Sequence, residues 1–231
     1  MGNLPSNKKL FTSTKQNDNT VLISTIDDDV ILSYYMSHIQ TEKAFTTIVK
    51  AVEKLVRSSR SYSSFVGRLK SDLNLTNCTF LENVDDTLAT IEMHHYPLTL
   101  YEITEIIIIK NLIEKNFFST FTLANDVMNV HKLFQVGIVP LSKTIHELAH
   151  SGKVFIPFDV IIGDWKKFLE LYDVAITDSH KLKLEKLTKK NQEFMEDATN
   201  ANTILELKKI DNRQYTYLLS NNNIPILEND P

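Results

Sequence analysis

Four of the chain's seven histidines fall in two short stretches, as the adjacent pair His94-His95 and as the i, i+4 pair His146 and His150. Their spacing constrains the local structure around them. With residues 89–94 extended, neighbouring side chains point to opposite faces of a strand, so His94 and His95 cannot serve one ion equally well. One ligates and the other stays free. In the second stretch Ser142 stands as an N-cap and Gly152 as the residue just past the end, so residues 143–151 are expected to form about two turns of helix. His146 and His150 then lie on one face, one above the other.

Such an i, i+4 pair can close on a single divalent ion. A third imidazole from a neighbouring strand would leave one coordination position open for water or phosphate. Three nitrogen ligands suit zinc or nickel better than magnesium or manganese, which take oxygen more readily. A His95 left unligated can act as a general base near neutral pH.

Glu92-x-His94-His95 followed by His146-x-x-x-His150 resembles the HNH nuclease motif (ββα-metal, His-Me finger) in the three-histidine form of colicin DNases. Residues 138–144, Ile-Val-Pro-Leu-Ser-Lys-Thr, sit where that family has its second strand and the turn into the metal helix. Over residues 92–152 the resemblance implies that His94, His146 and His150 hold one divalent ion. His95 would be the base and Glu92 a supporting acidic residue of the catalytic group. Two departures stand out. Gly137 occupies the place of the motif asparagine, which in the family fixes the loop carrying the base. The two histidine pairs are also roughly twice as far apart as in a compact core, which implies a helical insertion at 98–136. More loosely, residues 78–172 resemble a phage protein family with an HNH-like core. The implied activity is metal-dependent hydrolysis of phosphodiester bonds in double-stranded DNA. The alternative is a catalytically inactive, HNH-like metal-binding protein that binds nucleic acid or a host or phage protein.

Composition narrows the setting. A chain of 231 residues, 42% hydrophobic and 23% charged, can bury a sizeable core. The most apolar run, Ile106 to Ile109, is cut by Glu105 and Lys110, so no membrane span is expected. The N-terminus lacks the apolar segment of a secretion signal, and the single cysteine, Cys78, rules out an internal disulfide. These features point to the cytoplasm, the host's if the chain is phage-encoded. The net charge of −4 argues against coating nucleic acid through the overall field. Local charge differs: Lys50, Lys54, Arg57 and Arg60 form one basic cluster, and Lys181, Lys183 and Lys186 another. Either can track a phosphate backbone, though a lysine-rich helix taken alone is more often a solvated face.

The expected fold is α+β and mainly helical. A flexible tail covers 1–19, and an N-terminal helical layer covers 20–76. That layer holds a short strand at 21–26, a helix capped by Asp28 or Asp29 and running to Ile39, an amphipathic helix at 41–58 and another at 62–75. The HNH-like core spans 77–175, with Thr79, Phe80 and Leu81 pairing beside the histidine strand. Its insertion holds a helix opened by the capping box Thr99–Glu102 and a second at 123–135 ending at Gly137. His131 lies on that second helix and is assigned no role. After the core's metal helix come extended pieces at 154–157 and 160–162 and a helix capped by Asp164. Residues 176–231 are expected to give a charged helix at 178–198 standing apart from the core, a β-hairpin at 204–210 and 213–219, and a loose tail.

Overall fold

The computed structural model describes the backbone of residues 22–26 and 29–34, and residues 39 and 41–197 in full. The tails and the C-terminal hairpin expected from the sequence lie outside the described residues. Within them the fold is mainly helical α+β. Its elements are β1 (Leu22–Ile26), β2 (Asp29–Tyr34), α1 (Glu42–Ser58), α2 (Arg60–Ser71), β3 (Ile91–His95), α3 (Leu100–Ile113), β4 (Phe118–Ser119), α4 (Thr120–Lys132), β5 (Ile138–Ser142), α5 (Lys143–His150), α6 (Trp165–Leu171) and α7 (Asp178–Glu196).

The organising element is α3. Thr99 and Glu102 close the expected capping box, and Ile106, Ile107 and Ile108 that follow are each at most 1% exposed. A helix apolar on all sides must be enclosed, and α1, α4 and the 3-10 turn at Asp173–Ala175 pack around it. Burying each isoleucine contributes about 2 kcal/mol, so this run carries much of the main core. Thr41 caps α1 by accepting from Ala44 N, and the buried stripe Ile48, Val49, Val52 and Val56 follows the helical period.

Several expectations are corrected. Residues 29–34 form strand β2, paired antiparallel with β1 from Leu22↔Ser33 to Ile26↔Asp29, where a helix was expected. Val30, Ile31, Leu32 and Tyr34 are β-branched, aliphatic or aromatic, and that content outweighs a capping aspartate. The hairpin joins the rest through β4, with Tyr34 opposite Phe118. Helix α2 stops at Ser71, short of Leu75, and Asn74 takes a left-handed φ of 54°. Helix α4 begins at Thr120 behind a Ser119–Thr122 capping box and ends at Lys132, with Leu133 as its C-cap, five residues before Gly137. Phe134 has φ 52°, with Gln135 N donating to Val130 O and Phe134 N to His131 O, so a phenylalanine takes the closing role usually given to glycine. Thr79 bonds Pro140 O of β5 through both its N–H and its hydroxyl, and so attaches to the other strand of the sheet, away from the histidine strand. Of the piece at 160–162, Val160 lies in a 3-10 turn and only Ile162 bridges to Ile138.

Helix α7 does not stand apart. His180 is buried near its start, Lys183 pairs with Glu102 at 2.6 Å, and Asn191 Oδ1 accepts from Phe158 N at 2.8 Å. Leu184 packs on the main core, and Phe194 and Met195 on the smaller one.

Between those two cores lies the two-stranded sheet β3–β5, antiparallel from Ile91↔Ser142 to His95↔Ile138. Met93 and Ile138 face the helical core, while Val139 and Leu141 face the smaller core with Ile156, Val160 and Ile161. The strands are joined through α3, β4 and α4, and α5 follows β5 directly.

Candidate metal centre on the β3–β5 sheet

Strand alternation sends Glu92 and His94 to the α5 side of the sheet and His95 to the helical side. On the α5 side, one ring nitrogen from each of His94, His146 and His150 lies within 4.8 Å of the other two. The local sequence explains why α5 presents its pair there. Ser142 occupies the N-cap position, although its hydroxyl makes no capping bond. At the other end Gly152 takes φ +72°, Lys153 N donates to Leu148 O, and Gly152 N donates to Ala149 O. This is the expected glycine closure, and it ends the helix just after His150.

The donor set fits a transition-metal ion. His146 Nδ1 bonds the Glu92 carboxylate, which puts the ring proton on Nδ1 and leaves Nε2 as a lone-pair donor. Nε2 of His146 and Nε2 of His150 are 3.0 Å apart, close to the roughly 3.3 Å that two nitrogens on one tetrahedral ion keep. The His94 ring meets those of His146 and His150 edge-on, with centroids 4.7 and 5.0 Å away. Burial pushes the His94 pKa down to about 3, helped by repulsion from His146, His150 and Lys183, so this imidazole is neutral and ready to ligate. His150 is lowered too, by burial, by His146 and by Arg57, with Glu92 opposing. His94 is buried and His150 exposed, so the centre opens to solvent on its α5 side.

His95 is not brought to this cluster. Its Nε2 lies 2.8 Å from Nε2 of His131, and the two residues are 6% and 0% exposed. Tyr62 and Phe65 of α2 pack against the pair. His131 Nδ1 donates to Val127 O at 2.6 Å, which leaves its Nε2 to accept and requires His95 to donate. Burial holds the pKa of both rings down, His131 to about 4 with Arg57 adding repulsion, and His95 well below its ordinary value. His131 has no role in the sequence reading, yet a signal for it exists. It lies on the α4 face of Leu123 and Val127, so a buried position follows from the helical period.

Gly137, at the asparagine position, has a packing explanation. A Cβ there would sit 1.9 Å from the Tyr96 carbonyl oxygen, and Tyr96 N donates to Gly137 O at 3.0 Å. The backbones of β3 and β5 approach too closely at this point for any side chain.

The basic clusters differ. Lys50, Lys54 and Arg57 line a shallow groove on α1, where Glu53 holds the Arg57 guanidinium at 2.9 Å. On α7, Lys183 is committed to Glu102 and Lys181 lies 3.9 Å from Asp178. No helix among the described residues is long and apolar enough to cross a membrane.

A family model described as bacteriophage G278-like virion protein matches residues 3–216. No curated protein and no solved structure matches the chain.

Proposed function

The chain belongs to the bacteriophage G278-like virion protein family, and from that premise we propose a metal-binding virion component in which His94, His146 and His150 hold one divalent ion. The observation that carries this is the convergence of three imidazole donors, with Glu92 fixing the tautomer of His146. The nitrogen set suits zinc or nickel, with manganese or magnesium weaker competitors. The ion would tie β3 to α5. That helix has no fully buried residue, and Ile145 and Ala149 supply its partly buried apolar contact with the smaller core. Lys50, Lys54 and Arg57 give α1 a surface suited to a nucleic-acid backbone, and such a contact belongs to this proposal, as does a working place in the host cytoplasm.

A second role, HNH-type endonuclease with His95 as base, is favoured by the β3–β5–α5 order and by the open, solvent-facing side of the centre. A bound ion would there polarise a phosphodiester oxygen. The pairing of His95 with His131 across the sheet supports the non-catalytic role, because that ring is held away from the metal donors.

One experiment separates them. Metal-free protein is loaded with zinc, nickel, manganese or magnesium, bound ion is counted, and nicking of supercoiled plasmid is followed beside His146→Ala and His95→Ala. One ion per chain, lost in His146→Ala, with no nicking, supports the metal-binding component. Metal-dependent nicking that disappears in both variants supports the endonuclease. A folded protein that takes up none of the four ions overturns both.

A further inference from the structure

Helix α5 differs from every other α-helix among the described residues. The other six each have a side chain bonded at the N-cap and at least one buried residue. α5 has neither: Ser142 makes no capping bond, its Oγ is buried without a partner, and no residue from Lys143 to His150 is buried. It is also only eight residues long. A helix of two turns is unstable in water unless tertiary contacts hold it, because its nucleus fixes several dihedrals for one hydrogen bond.

The contacts α5 makes are slight. Lys143 N donates to Thr90 O at 3.1 Å, which anchors the first residue alone. Ile145 and Ala149 are only partly buried against the smaller core. His146 Nδ1 donates to Glu92, but these side chains are 23% and 37% exposed, and a pair so open to solvent contributes little. The ligand set is the stronger tie. His146 and His150 hold their Nε2 atoms 3.0 Å apart, and one ring nitrogen of each lies within 4.8 Å of a His94 ring nitrogen. An ion shared by all three would link both turns of α5 to β3, and the rings converge only while the helical period keeps His146 and His150 on one face.

We propose that α5 is a metal-conditional element: residues 143–151 fold onto the β3–β5 sheet when His146 and His150 share an ion with His94, and open from it in the metal-free protein. The main core contains no residue of α5, so the rest of the fold persists in both states. This rests on the metal-binding reading of the three histidines and adds that the ion decides whether the helix exists. Lys143, Thr144 and Glu147 are exposed on α5, so the surface they present comes and goes with divalent metal.

Amide hydrogen exchange of the full-length protein is followed with and without zinc, and calorimetry on the same protein counts bound ion. In metal-free protein the amides of residues 147–151 should exchange at nearly the rate of an unfolded peptide, while those of α3 stay protected. Zinc at one hundred times its dissociation constant should slow the first group about a hundredfold and leave the second unchanged. Two variants away from the ligands sharpen the test. Glu147→Gly and Glu147→Ala remove the same exposed carboxylate but differ in helix propensity, so the glycine variant should bind zinc about fivefold more weakly than the alanine variant. Bound zinc that leaves α5 exchange unchanged or slows α3 equally overturns the conditional helix and leaves the metal centre standing. Equal zinc affinity in the two variants does the same. A protein that takes up neither zinc nor nickel overturns the metal reading and this inference together.

Discussion

His94 and His95 are neighbours in sequence and identical in chemistry, yet they belong to two different environments on the two faces of β3. His94 looks out to α5, where three imidazoles and a carboxylate converge beside solvent. His95 looks into the helical core, where its one imidazole partner is His131 and aromatic rings surround it. Type and spacing alone do not make a metal centre. Both faces carry close imidazoles, but only the outer one offers a third nitrogen, an anionic partner for a ring proton and access for an ion. On the inner face the two rings satisfy each other, as a buried polar pair must.

Perturbing the inner face should have the largest effect on stability. His131→Ala deletes a fully buried ring and strands the His95 donor, so a loss of about 3 kcal/mol is expected in urea unfolding of metal-free protein. The exposed His150→Ala should change the same measurement by less than about 0.5 kcal/mol. Equal losses would show that the two faces are not distinct in energy.

Metal should act on the outer face alone. Zinc at one hundred times its dissociation constant is expected to stabilise the protein by about 2.7 kcal/mol, read as a rise in Tm that chelator reverses. His150→Ala should abolish this rise and His131→Ala should retain it. Next in size is Glu92→Gln, which leaves the three nitrogens in place and removes the anion on His146 Nδ1. Calorimetry should then show zinc affinity reduced about 10- to 100-fold. Unchanged affinity would mean that Glu92 does not orient the ligand.

The smallest effect tests whether α7 clasps both cores. Burial by itself raises the Glu102 carboxyl pKa, but bonds from Lys183 and Thr99 more than offset it and hold the pKa below its ordinary 4.5. A lowered folded-state pKa gives stability that is present above the unfolded value and lost as pH falls through the folded one. Acidification below 4.5 should therefore remove roughly 1 kcal/mol. Lys183→Met should flatten that part of the pH profile, and an unaltered profile would remove the pair from the clasp.

Much of the local structure was legible in the chain. The Thr99–Glu102 box, the Asp164 cap and the Gly152 closure depend on bonds within a few residues, so the sequence nearby suffices to find them. The shared face of His146 and His150 followed from the helical period, whereas the choice of His94 over His95 as their companion was implied by the resemblance to the HNH motif. Residues 29–34 were missed because a capping aspartate and a β-branched run compete there, and β1 lies close enough to decide the outcome. The end of α4 was misplaced because Phe134 is driven into a left-handed conformation by the core it packs in.

The sequence by itself determined the mainly helical α+β class and which side chains share a strand or helix face, because these are set by repeats of two and 3.6 residues along the backbone. The tertiary structure decided what stands opposite each face. It paired His95 with His131, put Glu92 on His146, folded α7 across both cores and left no room for a side chain at Gly137. The physical reason is range. A helical or strand period is complete within a few residues, whereas these contacts join groups 36 and 54 positions apart that only the packed sheet and helices bring within bonding distance.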